Sequence, residues 1–212
     1  CSVALWLSGE LTERYEIAPR EHARLVRGMI EALLGEAGVT LRQLDAIAFG
    51  RGPGAFTGVR IATGVVQGLA FGADLPVLPV SSLAALAQQA MDREHCTRVA
   101  AAIDARMGEV YWGVYQRDAT GFAQPLGEEE VGKAASVQQP RGTDWCGIGS
   151  GWKVYGEELA ARLPGRLTGV FEERYPSARE VAKLGTRDFT LGHAVAAEEA
   201  LPVYLRNNVV RT

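Results

Sequence analysis

The spacing of hydrophobic positions changes several times along the 212 residues, and each change marks a new element. Over the first 18 residues apolar and polar positions alternate, broken only at Ser8-Gly9-Glu10, which predicts a β-hairpin made of SVALWL and LTERYEIA. From Pro19 the period lengthens. Leu25, Val26, Met29, Ile30, Leu33 and Leu34 form an i, i+4, i+8 stripe with Pro19 near the first turn and Gly35 past the end, so residues 20–34 read as an amphipathic helix. After Gly38, TLRQLDAIAFG reads as a helical turn entering a buried strand, and RGPGAFTG as a glycine-rich turn with Thr57 placed to cap a second helix over 58–71.

The alternation of strand and helix continues. LPVLPV (75–80) is an apolar strand, SSLAALAQQAM a helix, and RVAAAIDA (98–105) with EVYWGVYQ (109–116) a second hairpin. Between Asp118 and Thr143 the pattern weakens to loops and one short helix. WCGIGSGW (145–152) reads as a buried strand ending in glycines, VYGEELAARL as a helix and EVAKLGTRDF as a further helical piece, before LPVYLRNNVV closes the chain. Strands alternating with helices make this an α/β protein.

The second helix carries an oddity, because Gly64, Gly68 and Gly72 recur every four residues within it. Each interior glycine costs a helix about 1 kcal/mol relative to alanine, so three on one face call for a compensating gain. With Arg60 they form one ridge, beside an apolar ridge of Ile61, Val65 and Leu69. The face packs either on the chain's own sheet and first helix, or on a helix of another chain. The residues alone leave both readings open.

Composition narrows the class. With 47% hydrophobic and 22% charged residues the chain buries an ordinary core, as one large domain or two small ones. Its net charge of −3 and scattered arginines argue against tight nucleic-acid binding by this chain alone. Cys1, Cys96 and Cys146 are odd in number and far apart, so three reduced thiols are expected rather than a disulfide framework or a zinc knuckle. No apolar run approaches the roughly 18 residues of a membrane span, and no signal peptide opens the chain, so a soluble cytoplasmic protein is expected. The chain opens at Cys1 within a strand pattern, from which an upstream segment is expected.

Candidate chemistry is sparse. GRGPGAFTG could face a phosphate through Gly52 and Gly54, but it fits neither the Walker pattern nor the dinucleotide fingerprint, and a structural turn is the favoured reading. His22 lacks a second histidine at i+4 and stands apart from His95 and His193, so no metal site is expected. Asp104 and Glu109 flank a turn in IDARMGEVYW with Arg106 between them to neutralise one, which favours structural pairing over acid–base work. Ser150 lies only in a fragment of a nucleophile elbow, and no catalytic residue is assigned.

Several segments together resemble one family: GRGPGAFTGVRIATGVVQGLAFGADLPVLPVSSL (50–83), IDARMGEVYWGVYQ (103–116), GIGSGW (147–152), PVYLRNN (202–208) and the helix opening PREH (19–22). They resemble the TsaB, or YeaZ, family of the bacterial tRNA threonylcarbamoyladenosine machinery, closely over about the first 116 residues and in patches beyond. The resemblance implies an actin-like, Hsp70-like, sugar-kinase-like (ASKHA) α/β fold in two lobes with a degenerate nucleotide site. It places an N-terminal lobe at 1–95, a C-terminal lobe at 96–195 and a tail at 196–212 returning to the first lobe. In the missing start the family would carry an Asp-Thr-Ser turn.

The resemblance also implies a noncatalytic scaffold for TsaD, the family's catalytic paralogue, whose metal-binding HxxxH has no counterpart here. With the ATPase TsaE, such a complex transfers threonylcarbamoyl from an adenylate made by TsaC to the adenosine beside the anticodon of ANN-decoding tRNAs. This chain would then bind no cofactor itself, ATP being used by the wider complex, and would meet tRNA only through that complex. The first two helices would face TsaD, or a second copy when TsaD is absent. In this sequence that surface corresponds to Arg20, His22, Leu25 and Met29 on the first helix, and to Phe56, Arg60, Ile61, Gly64, Val65, Gln67, Gly68 and Phe71 on the second. The rivals are a phosphotransferase of the same fold using RGPG to hold ATP, and a metallopeptidase.

Overall fold

The structure, a computed structural model, describes residues 1–18, 21–165 and 167–206. The chain divides into two compact units, one of Cys1–Ser81 with Ser177–Pro202, the other of Ser82–Pro176 with the described chain from Val203.

In the first unit, β1 (Ser2–Leu7) and β2 (Glu10–Tyr15) form the expected hairpin, with Leu7 opposite Glu10. Its two turn residues, Ser8 and Gly9, both take positive φ, 51° and 87°, the combination that matches the twist of two antiparallel strands. Helix α1 (His22–Ala37) packs on the hairpin through Met29 and Leu33. It stops at Gly38, whose φ of 66° lets Val39 N–H return to the Leu34 carbonyl at 3.1 Å. Parallel strands β3 (Ile47–Gly52) and β4 (Val77–Ser81) follow, joined by the crossover helix α2 (Phe56–Ala73).

The last helix of this unit comes from far along the chain. Helix α5 (Ala178–Thr190) lies across both strand pairs and contacts β1, β2, β3 and β4. Ser177 caps it by accepting from Arg179 N–H at 3.2 Å, Ala178 N–H donates to Ser2 Oγ at 2.9 Å, and Glu13 accepts from Arg179 N–H at 3.1 Å. After α5, Val195 and Val77 exchange two backbone hydrogen bonds at 2.9 Å, and Ala197 and Ala200 complete a core with Phe49, Val66, Ala70 and Val77.

The second unit is a six-stranded mixed sheet. Strands β5 (Arg98–Arg106), β6 (Glu109–Arg117), β7 (Ala123–Pro125), β8 (Glu130–Gly132), β9 (Trp145–Ile148) and β10 (Leu167–Phe171) run in the order β10-β9-β5-β6-β7, with β8 also on β6. Alternation along β5 decides its two cores. Val99 and Ala101 meet helix α3 (Ser82–Arg93) through Leu83, Leu86 and Met91, while Ala100 and Ala102 meet helix α4 (Ser150–Ala160) and the tryptophans Trp112, Trp145 and Trp152.

The glycines of GIGSGW are explained by this second core. A Cβ at Gly147 would stand 2.5 Å from the Trp152 ring, whose Nε1–H donates to the Ala100 carbonyl at 2.9 Å. Gly149, at φ 105°, makes the strand-to-helix turn with its α-carbon against the Ala102 carbonyl, and Gly151 packs on Ala102 Cβ.

Four expectations change. Thr57 is already inside α2, whose N-cap is Ala55 at φ −59°, ψ 122°, because the Gly-Pro-Gly turn releases the chain two residues earlier. Cys96 and Cys146, 50 residues apart, are joined by a disulfide with their α-carbons 6.2 Å apart, since the parallel pairing of β5 and β9 brings Val99 opposite Cys146. Only Cys1 among the three is free. The weak stretch 118–143 holds two short strands as well as a helical turn, and β10 arises from residues to which the sequence pattern assigns no element. Finally, the compact units do not divide at 95 and 195: α3 groups with the second sheet, α5 with the first unit, and the tail is shared at 202/203.

Gly185 on α5 lies close against β3, since a Cβ there would stand 2.5 Å from Ala48 Cβ. Gly185→Ala is therefore expected to lower the stability of the chain by about 1–3 kcal/mol through forced separation of α5 and β3, measured by urea unfolding. An unchanged midpoint would show that α5 shifts without cost.

Candidate functional site

Helix α2 presents two opposite faces. Val59, Thr63, Val66 and Ala70, spaced as one helical stripe, are buried toward β3 and the chain around Ala197 and Ala200. Gln67 fixes the rotation further, its Nε2 donating to the Ala200 carbonyl at 3.0 Å. The opposite side carries Gly64, Gly68 and Gly72, all exposed.

Among the described residues no atom lies within 4 Å of where a Cβ at Gly64, Gly68 or Gly72 would stand, although the Arg42 guanidinium donates to the Gly72 carbonyl at 3.5 Å. Packing within the described residues therefore does not account for the missing side chains at Gly64 and Gly68. Around them stand Phe71, 83% exposed, and Phe56, 51% exposed, with the Arg60 guanidinium 3.8 Å above the Phe56 ring. Ile61 and Val65 flank the ridge on the other side, half-buried. The surface is thus concave in side-chain volume along its middle, apolar at its margins and cationic at one point.

Helix α1 contacts α2 within the same unit. Leu25 and His22 are half-buried and Met29 is buried beneath them, so of these three it is Met29 that belongs to the core. The His22 carbonyl accepts a weak bond from Cys1 Sγ at 3.9 Å. The outward face of α1 and its N-cap carry the ion pairs Arg24–Glu21 and Arg27–Glu31, and the hydrogen bond that Arg27 donates to Glu31 raises its guanidinium above the usual range. Such exposed pairs add little stability. Arg20 lies outside the described residues.

At the turn before α2, Gly52 is buried at φ 97° and pairs with Ser81 in the β3–β4 ladder. Gly54 leads into the helix with Val59 Cγ2 3.6 Å from where its Cβ would be. Gly52 therefore has structural work in the turn. Among the described residues no three His, Cys, Asp or Glu side chains come together as a metal site, and no helix is long and apolar enough to cross a membrane.

The Asp104–Glu109 turn resolves differently from the simple pairing read in the sequence. Arg106 does bond Asp104, Nη1 to Oδ2 at 2.9 Å, but Glu109 is taken by Arg206 from the PVYLRNN segment, which also donates to the Ala105 carbonyl at 3.1 Å. Two segments singled out by the resemblance thus meet. The spacing of 97 residues gave no local signal of it.

Because no described residue fills the space beside Gly64 and Gly68, their cost to the helix is not recovered there. Gly64→Ala and Gly68→Ala are each expected to stabilise the monomer by about 0.5–1 kcal/mol, read from urea unfolding at a concentration where light scattering shows a monomer; a loss of stability of that monomer would mean that these positions pack internally.

A family model described as TsaD: tRNA N6-adenosine threonylcarbamoyltransferase matches residues 14–210. The chain is 43% identical to the tRNA threonylcarbamoyladenosine biosynthesis protein TsaB of Escherichia coli (strain K12), over 99% of this chain and 91% of that protein. Against the protein of the same name from Haemophilus influenzae it is 38% identical, over 99% and 90% of the two chains. The solved structure of YeaZ from Pseudomonas aeruginosa superposes with a TM-score of 0.90 at 50% identity, covering 97% of this chain and 94% of that one. Fold, core motifs and full-length similarity agree on the ASKHA-type α/β class, and the chain belongs to the TsaB (YeaZ) family of tRNA threonylcarbamoyladenosine biosynthesis proteins.

Proposed function

We propose that this chain is a noncatalytic scaffold and activator subunit of a tRNA threonylcarbamoyladenosine transferase complex. It binds a TsaD-like paralogue through α1 and α2, with a TsaE-like ATPase joining the assembly, so that the paralogue transfers threonylcarbamoyl to the adenosine beside the anticodon of ANN-decoding tRNAs. When the paralogue is absent, the same surface takes a second copy.

The observation that carries this reading is the α2 ridge. Three glycines on the outward face of an 18-residue helix weaken it, and no described atom lies within 4 Å of where their Cβ atoms would stand. A helix from another chain laid along the ridge would use the missing side chains as room for close backbone approach. Phe56, Phe71, Ile61 and Val65 would then supply the apolar margin and Arg60 the polar anchor, the usual division between a buried centre and its rim.

Sequence chemistry supports the division of labour. The three histidines, His22, His95 and His193, do not form an HxxxH pair, so the paralogue is assigned the catalytic step. A net charge of −3 suits a chain that reaches tRNA through the complex. ATP belongs to the wider assembly in this reading, and the expected compartment is the cytoplasm.

The test is to mix the purified chain with the TsaD-type protein of the same organism and measure mass by size-exclusion chromatography with light scattering. Wild type is expected to form a one-to-one complex, and Gly68→Leu to lose it by at least tenfold in affinity while keeping its melting temperature. A wild-type chain that remains apart from the TsaD-type protein would overturn the scaffold reading, and a Gly68→Leu chain that still binds would move the interface away from α2.

A further inference from the structure

The second unit contains a device that the scaffold reading does not use. Cys96 lies in the turn between α3 and β5, and Cys146 is the second residue of β9, which is hydrogen-bonded to β5 on one side and β10 on the other. Their α-carbons are 6.2 Å apart, within the range a disulfide spans without moving the backbone. The β5–β9 register, with Val99 opposite Cys146, brings the start of β5 beside Cys146. Both side chains belong to the core of α3 and β5, together with Leu86, Met91 and Ile148, and the Cys96 N–H donates to the Ala90 carbonyl at 3.3 Å.

We propose that Cys96 and Cys146 form a redox-responsive staple: a small disulfide such as oxidised glutathione closes the bond in the folded chain, and a small thiol opens it without dismantling the sheet. Cys96 is the entry point, because its turn is at the surface, with His95 and Thr97 exposed, whereas Cys146 lies inside a strand paired on both edges. The Cys96 thiolate attacks the small disulfide, forming a mixed disulfide and releasing one thiol. The Cys146 thiolate then attacks the Cys96 sulfur and releases the second. Two protein thiols and one small disulfide become one protein disulfide and two small thiols, and reduction runs the same steps backward. Both sulfurs are buried, at 5% and 6% exposure, so exchange waits on opening of the 94–97 turn.

Closing the bond encloses 50 residues of chain, from β5 through β8 to the start of β9, and leaves Cys1 as the remaining thiol. A loop of that length restricts the unfolded chain strongly, so the oxidised form resists unfolding more than the reduced form. Redox state thereby sets the stability of the unit that carries GIGSGW and the Arg206 contact.

The experiment uses the whole chain in two states, one treated with oxidised glutathione and one with dithiothreitol. Peptide mapping by mass spectrometry under non-reducing conditions is expected to find the Cys96 peptide joined to the Cys146 peptide only in the oxidised sample. Its melting temperature is expected to exceed that of the reduced sample by roughly 10 °C, with the same far-ultraviolet circular dichroism in both. Cys146→Ala should melt at one temperature under both treatments. The wild-type comparison needs no variant to fold. Two free or separately glutathionylated cysteines after oxidation, or a wild-type melting temperature unmoved by reductant, overturn the proposal.

Discussion

Burial of Val59, Thr63, Val66 and Ala70 against β3 and the 197–200 segment fixes the rotation of α2 about its axis, and that rotation decides what the other face can do. A helix buried on one stripe must show the opposite stripe to something else, and here the opposite stripe is glycine. The Gln67 bond to the Ala200 carbonyl adds a directional constraint to the apolar one, so the ridge does not turn inward. Because α2 is also the crossover between parallel strands β3 and β4, its position is tied to the backbone pairing beneath it. The proposed interface is therefore built on a helix held both by packing and by chain connection. Its tolerance for glycine comes from tertiary packing, since intrinsic propensity runs the other way.

The second unit is organised around the small residues of β5. Ala100, Ala101 and Ala102 allow α3 and α4 to pack closely on opposite faces of one strand, and the glycines of GIGSGW extend that closeness to the turn before α4. Trp152 fills the room that Gly147 leaves and satisfies its ring nitrogen on β5, which couples packing to hydrogen bonding at one residue. Arg206 fastens the β5–β6 turn, where Arg106 and Met107 both stand at positive φ, 63° and 56°. Strain of that kind persists only where neighbours impose it, and Asp104 and Arg206 are the neighbours that do so.

Much of this was legible in the sequence, for physical reasons that also mark where reading stops. Periods of two and 3.6 residues gave both hairpins and the helices at 22–37, 56–73 and 82–93 within a few residues, because each element buries one face. The cap at Thr57 was read two residues late because the turn chemistry of Gly52-Pro53-Gly54, and not the hydroxyl, sets where α2 begins. Strand β10 has only five residues and sits at the sheet edge, so its sequence LTGVF carries little signal. The return of α5 to the first unit was invisible because it depends on pairs such as Gly185 with Ala48 and Ala178 with Ser2, more than a hundred residues apart. The disulfide and the Arg206–Glu109 pair, 50 and 97 residues apart, likewise left no local pattern. At the candidate site, Gly64 and Gly68 could be singled out from their spacing, but only the structure shows that no described residue covers them.

The central claim is that the glycine face of α2 receives another protein. Hydrogen–deuterium exchange of the full chain, alone and mixed with the TsaD-type protein, tests it most directly, since it reports backbone protection element by element. The account predicts that exchange slows on mixing in the α1 and α2 peptides, strongest across Arg60–Phe71, with the second unit's sheet little changed. Protection that appears instead over the β5–β6 turn, or none at all under conditions where a complex forms, would contradict it.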